Sequence, residues 1–454
     1  MHDVAVIGGG VVGCALLRRL ALHGLDAVLL ERGRDILSGA SKANSALLHT
    51  GFDAPANSLE LSCIRAGYSE YFDIHESLGL PLVQTGAVMV AWNETQQARL
   101  PSLLAKAHAN GILDVRAISP AEIDRLQPGL APGALAGLHI PGEHVIDPWS
   151  APLAYVRQAM AHGATVIRDC EVLDGVLEDG IWRLVTPRGD VQARIVVNAA
   201  GLYGDLVERL ARIPPFEIRP RKGQFVVLDK SAHAAVRTIV LPVPDERTKG
   251  IIVCPTAFGN VIVGPTAEEQ TARDQAATDT ATLEALVARG REILPALAGH
   301  AVTATYAGLR PATERSEYRI EALPDQQWIS VAGIRSTGLT AALGIARHVL
   351  DLFRRHFGPV ADEAVPVSTP VPNLCESLPR RWMQPDAGEI VCHCERVTRS
   401  EIEAALSGPL PAGDLGGLRR RTRAMLGRCQ GFHCAGRVAR LAAGRLPEFP
   451  ENQP

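Results

Sequence analysis

The sequence predicts an α/β protein: a nucleotide-binding domain built on a largely parallel sheet, interrupted by an α+β cap with a mixed sheet, and followed by a small helical domain. Three observations predict it. A buried-strand pattern at the start of the chain runs directly into a glycine turn and a helix. Two later segments, Ala193 to Asp205 and Trp328 to Thr340, again end strands in small residues, with β-patterned stretches between them. Beyond a proline-rich stretch, four cysteines stand in two close pairs. At 454 residues the chain also exceeds one simple domain of about 100–200 residues, so several packed units are expected.

Composition narrows the class. With 46% hydrophobic and 21% charged residues, a wholly disordered, collagenous or coiled-coil chain is excluded. The formal net charge of -3 provides no basic field of the kind that nucleic acid or an anionic membrane selects. The apolar start from Val4 to Leu17 follows no basic region and is broken by Arg18 and Arg19, short of the roughly 20 residues a bilayer span needs. The expectation is a cytoplasmic protein with no direct membrane span, with attachment at the inner membrane face through a partner left open. An odd cysteine count of 9 behind no leader argues against a secreted disulfide scaffold and toward metal or redox chemistry.

The elements follow in order. Val4-Ala5-Val6-Ile7 reads as a buried strand, Gly8 to Gly13 as a tight turn, and Ala15, Leu16, Leu17 and Leu20 as the apolar face of a helix. Gly8 permits the turn, Gly10 lets backbone approach a pyrophosphate, and Gly13 lets helix pack on sheet. The helix N-terminus offers its N–H groups to phosphate. A second strand, Ala27 to Leu30, ends at Glu31, where a carboxylate accepts ribose hydroxyls. This is the Rossmann-like dinucleotide fingerprint, and only one complete copy exists, so one nucleotide per chain is expected. The strand Ala193 to Val197 leads into Asn198-Ala199-Ala200-Gly201, and the strand Trp328 to Ala332 leads into Gly333 and a helix through Leu350. The second helix N-terminus, at Gly338, Leu339 and Thr340, is placed to face an anionic group.

These three segments resemble the FAD-dependent oxidoreductases of the D-amino-acid oxidase and glycerol-3-phosphate dehydrogenase superfamily, over residues 1 to about 355. The resemblance implies an extended FAD, its ADP half held by Gly8, Gly10, Gly13 and Glu31, with the Val172 backbone at adenine. Asn44, Ser45, Gly201, Gly333, Gly338, Leu339 and Thr340 would then lie along the rest of the cofactor. The small-residue segment Ser38 to Gly51 is similar to one in L-2-hydroxyglutarate dehydrogenase and the large subunit of anaerobic glycerol-3-phosphate dehydrogenase, with a histidine two positions before a glycine. That histidine, His49, is the candidate base for a substrate hydroxyl proton, because imidazole titrates near working pH. Structural histidine and covalent attachment to FAD are its alternatives.

The cap is expected over residues 76–144 and 213–324, set into an FAD-binding domain over 1–75, 145–212 and 325–358. Its strands read at Gln224 to Leu228, Ile251 to Cys254 and Val261 to Val263. Arg310, in Gly308-Leu309-Arg310-Pro311, resembles the run by which superfamily members hold a substrate carboxylate or phosphate, a task the guanidinium fork suits. A surface arginine in a strand-to-loop turn is the alternative. Arg219, Arg221, Lys222, Arg315 and Arg319 either complete an anion site or are solvated.

Prolines 359, 366, 370, 372, 379 and 385 mark residues 359–387 as an extended linker or strap. Residues 388–447 follow as a small domain with Cys392, Cys394, Cys429 and Cys434 around helices at Ser400 to Leu406 and near Leu418 to Leu426. Four thiolates on two loops can form one tetrahedral sulfur site or bridge two irons, and the spacing departs from paired two-residue zinc gaps. The segment, including Arg421-Thr422-Arg423 and Gly427 to Gly431, resembles the bacterioferritin-associated-ferredoxin-like [2Fe-2S] domain of flavoenzyme subunits. Those versions separate the second cysteine pair by four residues, as here. Eight arginines from Arg419 to Arg445, with no acid between Asp414 and Glu448, would offset cluster charge or dock an acidic partner. Cys14, Cys63, Cys170, Cys254 and Cys375 are expected in the core.

Flavin plus a one-electron cluster implies a dehydrogenase that passes electrons onward. The expected reaction is oxidation of a small anionic 2-hydroxy compound, glycerol-3-phosphate first and L-2-hydroxyglutarate-like acids next. An electron-accepting partner subunit or quinone-linked acceptor is expected. The rival readings are an amino-acid or opine dehydrogenase or oxidase subunit, and a non-catalytic relay subunit.

Overall fold

The computed structural model describes residues 1–244 and 250–450. Its first large sheet has eight strands. The strand His2–Ile7 lies between Ala27–Leu30 and Val191–Asn198, parallel to both, and Thr165–Ile167 extends the sheet in parallel beyond Ala27–Leu30. The far edge of Val191–Asn198 is shared. Its first half pairs antiparallel with Ile181–Val185, and its second half pairs parallel with Trp328–Ala332.

Strand alternation sends Val4 and Val6 into one core, against helices Val11–Leu22, Ser150–Ala161 and Gly338–His356, and Ala5 and Ile7 into another around Trp182 and Trp328. Both faces of the central strands are therefore dry, as a parallel sheet requires. The functional loops emerge at the C-terminal ends of these strands, the usual binding edge of an open α/β sheet.

The second sheet has nine strands among the described residues. Its longest ladder joins Arg219–Leu228 to Val302–Ala312, antiparallel, with Arg221 opposite Arg310. Ile239–Pro242 runs parallel to Ala87–Ala91 among otherwise antiparallel neighbours, which makes the sheet mixed. Arg310 lies inside the strand Val302–Ala312 and not in a turn at its end.

Residues 359–387 carry little regular structure and cross from one sheet unit to the other. Backbone bonds run from Ala364 to Leu22, from Val371 to Leu78 and from Glu376 to Ala257. A small unit follows: a hairpin of Ile390–Cys392 with Val397–Thr398, then helices Arg399–Ser407, Leu415–Thr422 and Ala435–Ala442. The middle helix starts and stops earlier than the sequence suggests. Asp414 caps it by accepting from the Gly417 N–H, and Arg423, at φ 66°, turns left-handed and ends it.

Candidate functional site

The fingerprint turn has the shape its glycines imply. Gly8 has φ 109°, and a Cβ on Gly13 would overlap the Gly8 carbonyl oxygen, so helix and turn meet backbone to backbone. Glu31 is 8% exposed, and its carboxylate accepts the N–H groups of Gly9 at 2.6 Å and Gly33 at 2.7 Å. Burial pushes its pKa up, opposed by those N–H bonds. Each oxygen keeps a second lone pair for a ribose hydroxyl. Val172 is half-buried in the loop after Thr165–Ile167, against the core that holds Ile7 and Leu30. Gly201 and Gly333 both adopt left-handed backbone where their strands end. Gly338 opens the long helix, with Leu339 and Thr340 in its first turn.

The segment between Glu31 and His49 is braced on both sides. The Asn44 side chain donates to Ser41 O at 3.1 Å and accepts from Ala46 N–H at 2.8 Å, which holds Ser45 in a turn. The Tyr306 hydroxyl donates to Asn44 O at 2.7 Å, and a Cβ on Gly308 would lie 2.5 Å from Ala43 O. Tyr306, Gly308 and Arg310 share one face of their strand, so Arg310 sits on the face turned toward this segment. His49 is anchored from below, its N–H donating to Thr340 Oγ1 at 2.9 Å.

Its ring meets a residue that sequence reasoning missed. His49 Nδ1 lies 2.8 Å from Glu143 Oε2, and Glu143 is 1% exposed. The other carboxylate oxygen accepts the Thr50 N–H at 2.7 Å and the Thr50 hydroxyl at 2.8 Å. A buried carboxylate so fixed orients the imidazole with Nδ1–H toward Glu143 and the lone pair on Nε2, the arrangement of a base held in one tautomer. Glu143 sits in a short turn far from His49 in sequence, and no local pattern marks it.

Arg310 is half-buried, its Nη2 donating to Thr266 O at 3.3 Å, and among the described residues it pairs with no carboxylate. Gly223 leaves the room it needs, since a Cβ there would lie 2.6 Å from Nη2. Burial, with Arg221 and Arg335 nearby, pushes its pKa down to about 10. Of the other cations, Arg219 pairs with Glu217, Arg221 with Glu269, Lys222 with Glu268 and Arg319 with Glu314. Arg310 is thus a partly desolvated cation whose guanidinium fork can take an anion.

The four terminal cysteines gather in one place. The thiol of Cys394 meets that of Cys429, and the thiol of Cys392 meets that of Cys434. Among the described residues no three such side chains converge tightly enough for a single ion. Two thiol pairs fit a binuclear cluster better than one tetrahedral zinc. Backbone N–H groups of His433, Gly431 and Phe432 point at Cys429 and lower its pKa, which favours a thiolate ligand. The five other cysteines are buried.

Several arginines of this unit have partners, and Arg420 Nη2 donates to Ile36 O at 3.0 Å. Arg421 is paired through both terminal nitrogens with Asp35, which is 0% exposed and lies four residues beyond Glu31. A Cβ on Gly417 would overlap that carboxylate. Arg423 donates to Glu395 at 2.7 Å, and Lys230 reaches the same carboxylate at 3.1 Å.

The FAD dependent oxidoreductase family matches residues 3–352, and the BFD-like [2Fe-2S] binding domain matches residues 390–443. The chain belongs to the FAD-dependent oxidoreductase family. Its cofactors are FAD and a [2Fe-2S] cluster, which the glycine cradle and the four thiols fit. This FAD-dependent oxidoreductase is 30% identical to the glycerol 3-phosphate dehydrogenase of Caloramator mitchellensis, over 98% of this chain and 95% of the relative. It is 24% identical to one of the subunits of the anaerobic glycerol-3-phosphate dehydrogenase of Escherichia coli, over 98% of this chain and 88% of the relative. The dithionite-reduced L-alpha-glycerophosphate oxidase of Mycoplasma pneumoniae with FAD bound superposes with a TM-score of 0.75 at 27% identity. That match covers 82% of this chain and 99% of the oxidase.

Proposed function

We propose that this flavoenzyme oxidises a small anionic 2-hydroxy compound, glycerol-3-phosphate first and L-2-hydroxyglutarate-like acids next, and passes the electrons out through its [2Fe-2S] cluster. The observation that carries the reading is Arg310, half-buried and paired with no carboxylate among the described residues, on the strand face turned toward the segment that leads to His49. In this reading residues 1–75, 145–212 and 325–358 hold FAD, with Gly8, Gly10, Gly13, Glu31, Asn44, Ser45, Val172, Gly201, Gly333, Gly338, Leu339 and Thr340 along it. Residues 76–144 and 213–324 form the cap, 359–387 the strap, and 388–447 the cluster domain, with Cys392, Cys394, Cys429 and Cys434 as iron ligands.

FAD, when bound, supplies the hydride acceptor at N5. Arg310 grips the substrate anion through paired N–H bonds and fixes the carbinol carbon relative to that acceptor. His49 takes the hydroxyl proton on Nε2, and Glu143 stabilises the imidazolium that results. Thr340 holds the His49 backbone against the helix N-terminus, so the base cannot drift.

The choice of dehydrogenase over oxidase rests on the C-terminal unit. The glycerol 3-phosphate oxidase of Mycoplasma pneumoniae covers 77% of this chain with 94% of its own length, whereas the Caloramator dehydrogenase spans 98% of this chain. The cluster domain gives electrons an exit to a partner subunit or quinone-linked acceptor. Among the described residues no helix is long and apolar enough to cross a membrane, and attachment to one would run through that partner. Anaerobic mixing with glycerol-3-phosphate, 2-hydroxyglutarate and opines tests the reading by flavin bleaching. Bleaching by opines alone replaces it with the amine-donor reading, and bleaching by none replaces it with a relay subunit.

A further inference from the structure

We infer that Trp149 and Phe258 form the electron route between the flavin and the [2Fe-2S] cluster, and that Arg423 clamps the cluster loop onto its far end. The inference rests on the cofactor placement proposed above. Trp149 sits where the chain enters the helix Ser150–Ala161, and its indole N–H donates to Lys42 O at 3.1 Å. Lys42 immediately precedes Ala43 and Asn44 of the flavin-facing segment. On its other side Trp149 stacks on Phe258, with centroids 5.2 Å apart and an interplanar angle of 18°. Phe258 is buried at the tip of the cap hairpin between Ile252–Pro255 and Val261–Gly264. The Arg423 guanidinium lies over the opposite end of this pair, 4.0 Å from the Phe258 centroid.

From there the contacts reach the loop that carries Cys394. Arg423 Nε donates to Glu395, the residue after Cys394, and Arg423 Nη2 reaches Asn260 Oδ1 at 3.4 Å. The route therefore touches all three units: sheet, cap and cluster domain. Its bonds are buried ones, with Glu395 at 1% and Arg423 at 4% exposure, so the cluster domain is held firmly at this point. A cation over an aromatic face is worth most when desolvated, as here. A stacked aromatic pair in the space between the two redox sites provides better electronic coupling than the same space filled by saturated side chains.

The step balances internally. One electron leaves the two-electron-reduced flavin and one ferric ion of the cluster becomes ferrous, with no bond made or broken and no proton required to move. The test uses the full chain with FAD and cluster loaded, mixed anaerobically with glycerol-3-phosphate and sampled by rapid freezing. Flavin bleaching is read by absorbance and cluster reduction by its paramagnetic signal. For Phe258→Leu and Trp149→Leu, compared with wild type at matched iron and FAD content, cluster reduction is expected to slow about tenfold while bleaching keeps its rate. Trp149→Phe and Phe258→Tyr should restore the faster phase. Cluster reduction at the wild-type rate in both leucine variants overturns the route, as does equal slowing of both phases. If glycerol-3-phosphate leaves the wild-type flavin oxidised, the substrate reading falls, and the same comparison after photoreduction of the flavin decides the route.

Discussion

The two redox sites of this chain are built in opposite ways. The proposed flavin site draws on segments scattered between Gly8 and Thr340, on two sheets that must fold and pack before any of it exists. The cluster site is confined to residues between Cys392 and Cys434, on a hairpin and the loops around three short helices. A site of the first kind depends on buried long-range contacts such as that of His49 with Glu143, while one of the second depends on its own loop geometry and the metal. Substitutions should therefore be separable: cluster lesions leave flavin chemistry standing, and flavin-site lesions leave the cluster standing.

The largest expected effect is at the cluster. Cys429→Ser should abolish it, with iron and sulfide falling to background, while anaerobic bleaching of the flavin by substrate keeps its rate. Loss of bleaching as well would break the separation. Next is His49→Ala, for which the reductive half-reaction should slow about 10²–10⁴-fold, the contribution of a positioned general base, with iron content unchanged. Glu143→Gln should approach the same loss, because an amide N–H facing Nδ1 favours the tautomer with the proton on Nε2. An unchanged rate in His49→Ala removes it as the base.

Arg310→Met should cost about 2–5 kcal/mol in kcat/KM by removing the partner of the substrate anion. It should also raise the melting temperature of the substrate-free protein at neutral pH. The sign follows from its lowered pKa. Burial beside Arg221 and Arg335 disfavours the charged form, so the cost to folding is present below about pH 10 and fades as pH rises through that value. Substrate affinity in the wild type should weaken over the same rise. A variant that loses both affinity and stability would make Arg310 a structural cation.

How much of the molecule is legible in the chain follows the same division. The cysteines, the glycine turn and Glu31 announce themselves because each chemistry needs fixed residue types at short spacing. Glu143 does not, since one acid in a turn acquires meaning only when the sheets bring Thr50 and His49 to it. Arg421 and Arg423 belong to the arginine run that composition assigns to offsetting cluster charge, yet Asp35 and Glu395 engage them. The end of the helix near them is hidden too: Arg423 closes it in left-handed backbone, a conformation for which arginine has no intrinsic preference.

The smallest effect sharpens the comparison most. Asp35→Asn keeps the shape of the docking contact but replaces the charge that Arg421 grips, a loss of about 1–3 kcal/mol for a buried bond to a charged group. The four cysteines proposed as cluster ligands lie wholly on one side of that contact, so iron content and the paramagnetic signal should not change. Asp35 lies on the segment that begins at Glu31, with Leu37 N–H bonded to Gly9 O, so the same substitution tests whether the two sites meet at the ADP end of the flavin. Faster proteolytic release of the C-terminal unit, with FAD retained and cluster reduction slowed, is the expected result. Release accompanied by loss of FAD would show that the cluster domain also closes the nucleotide site, and the two regions would then be less separable than their chain positions imply.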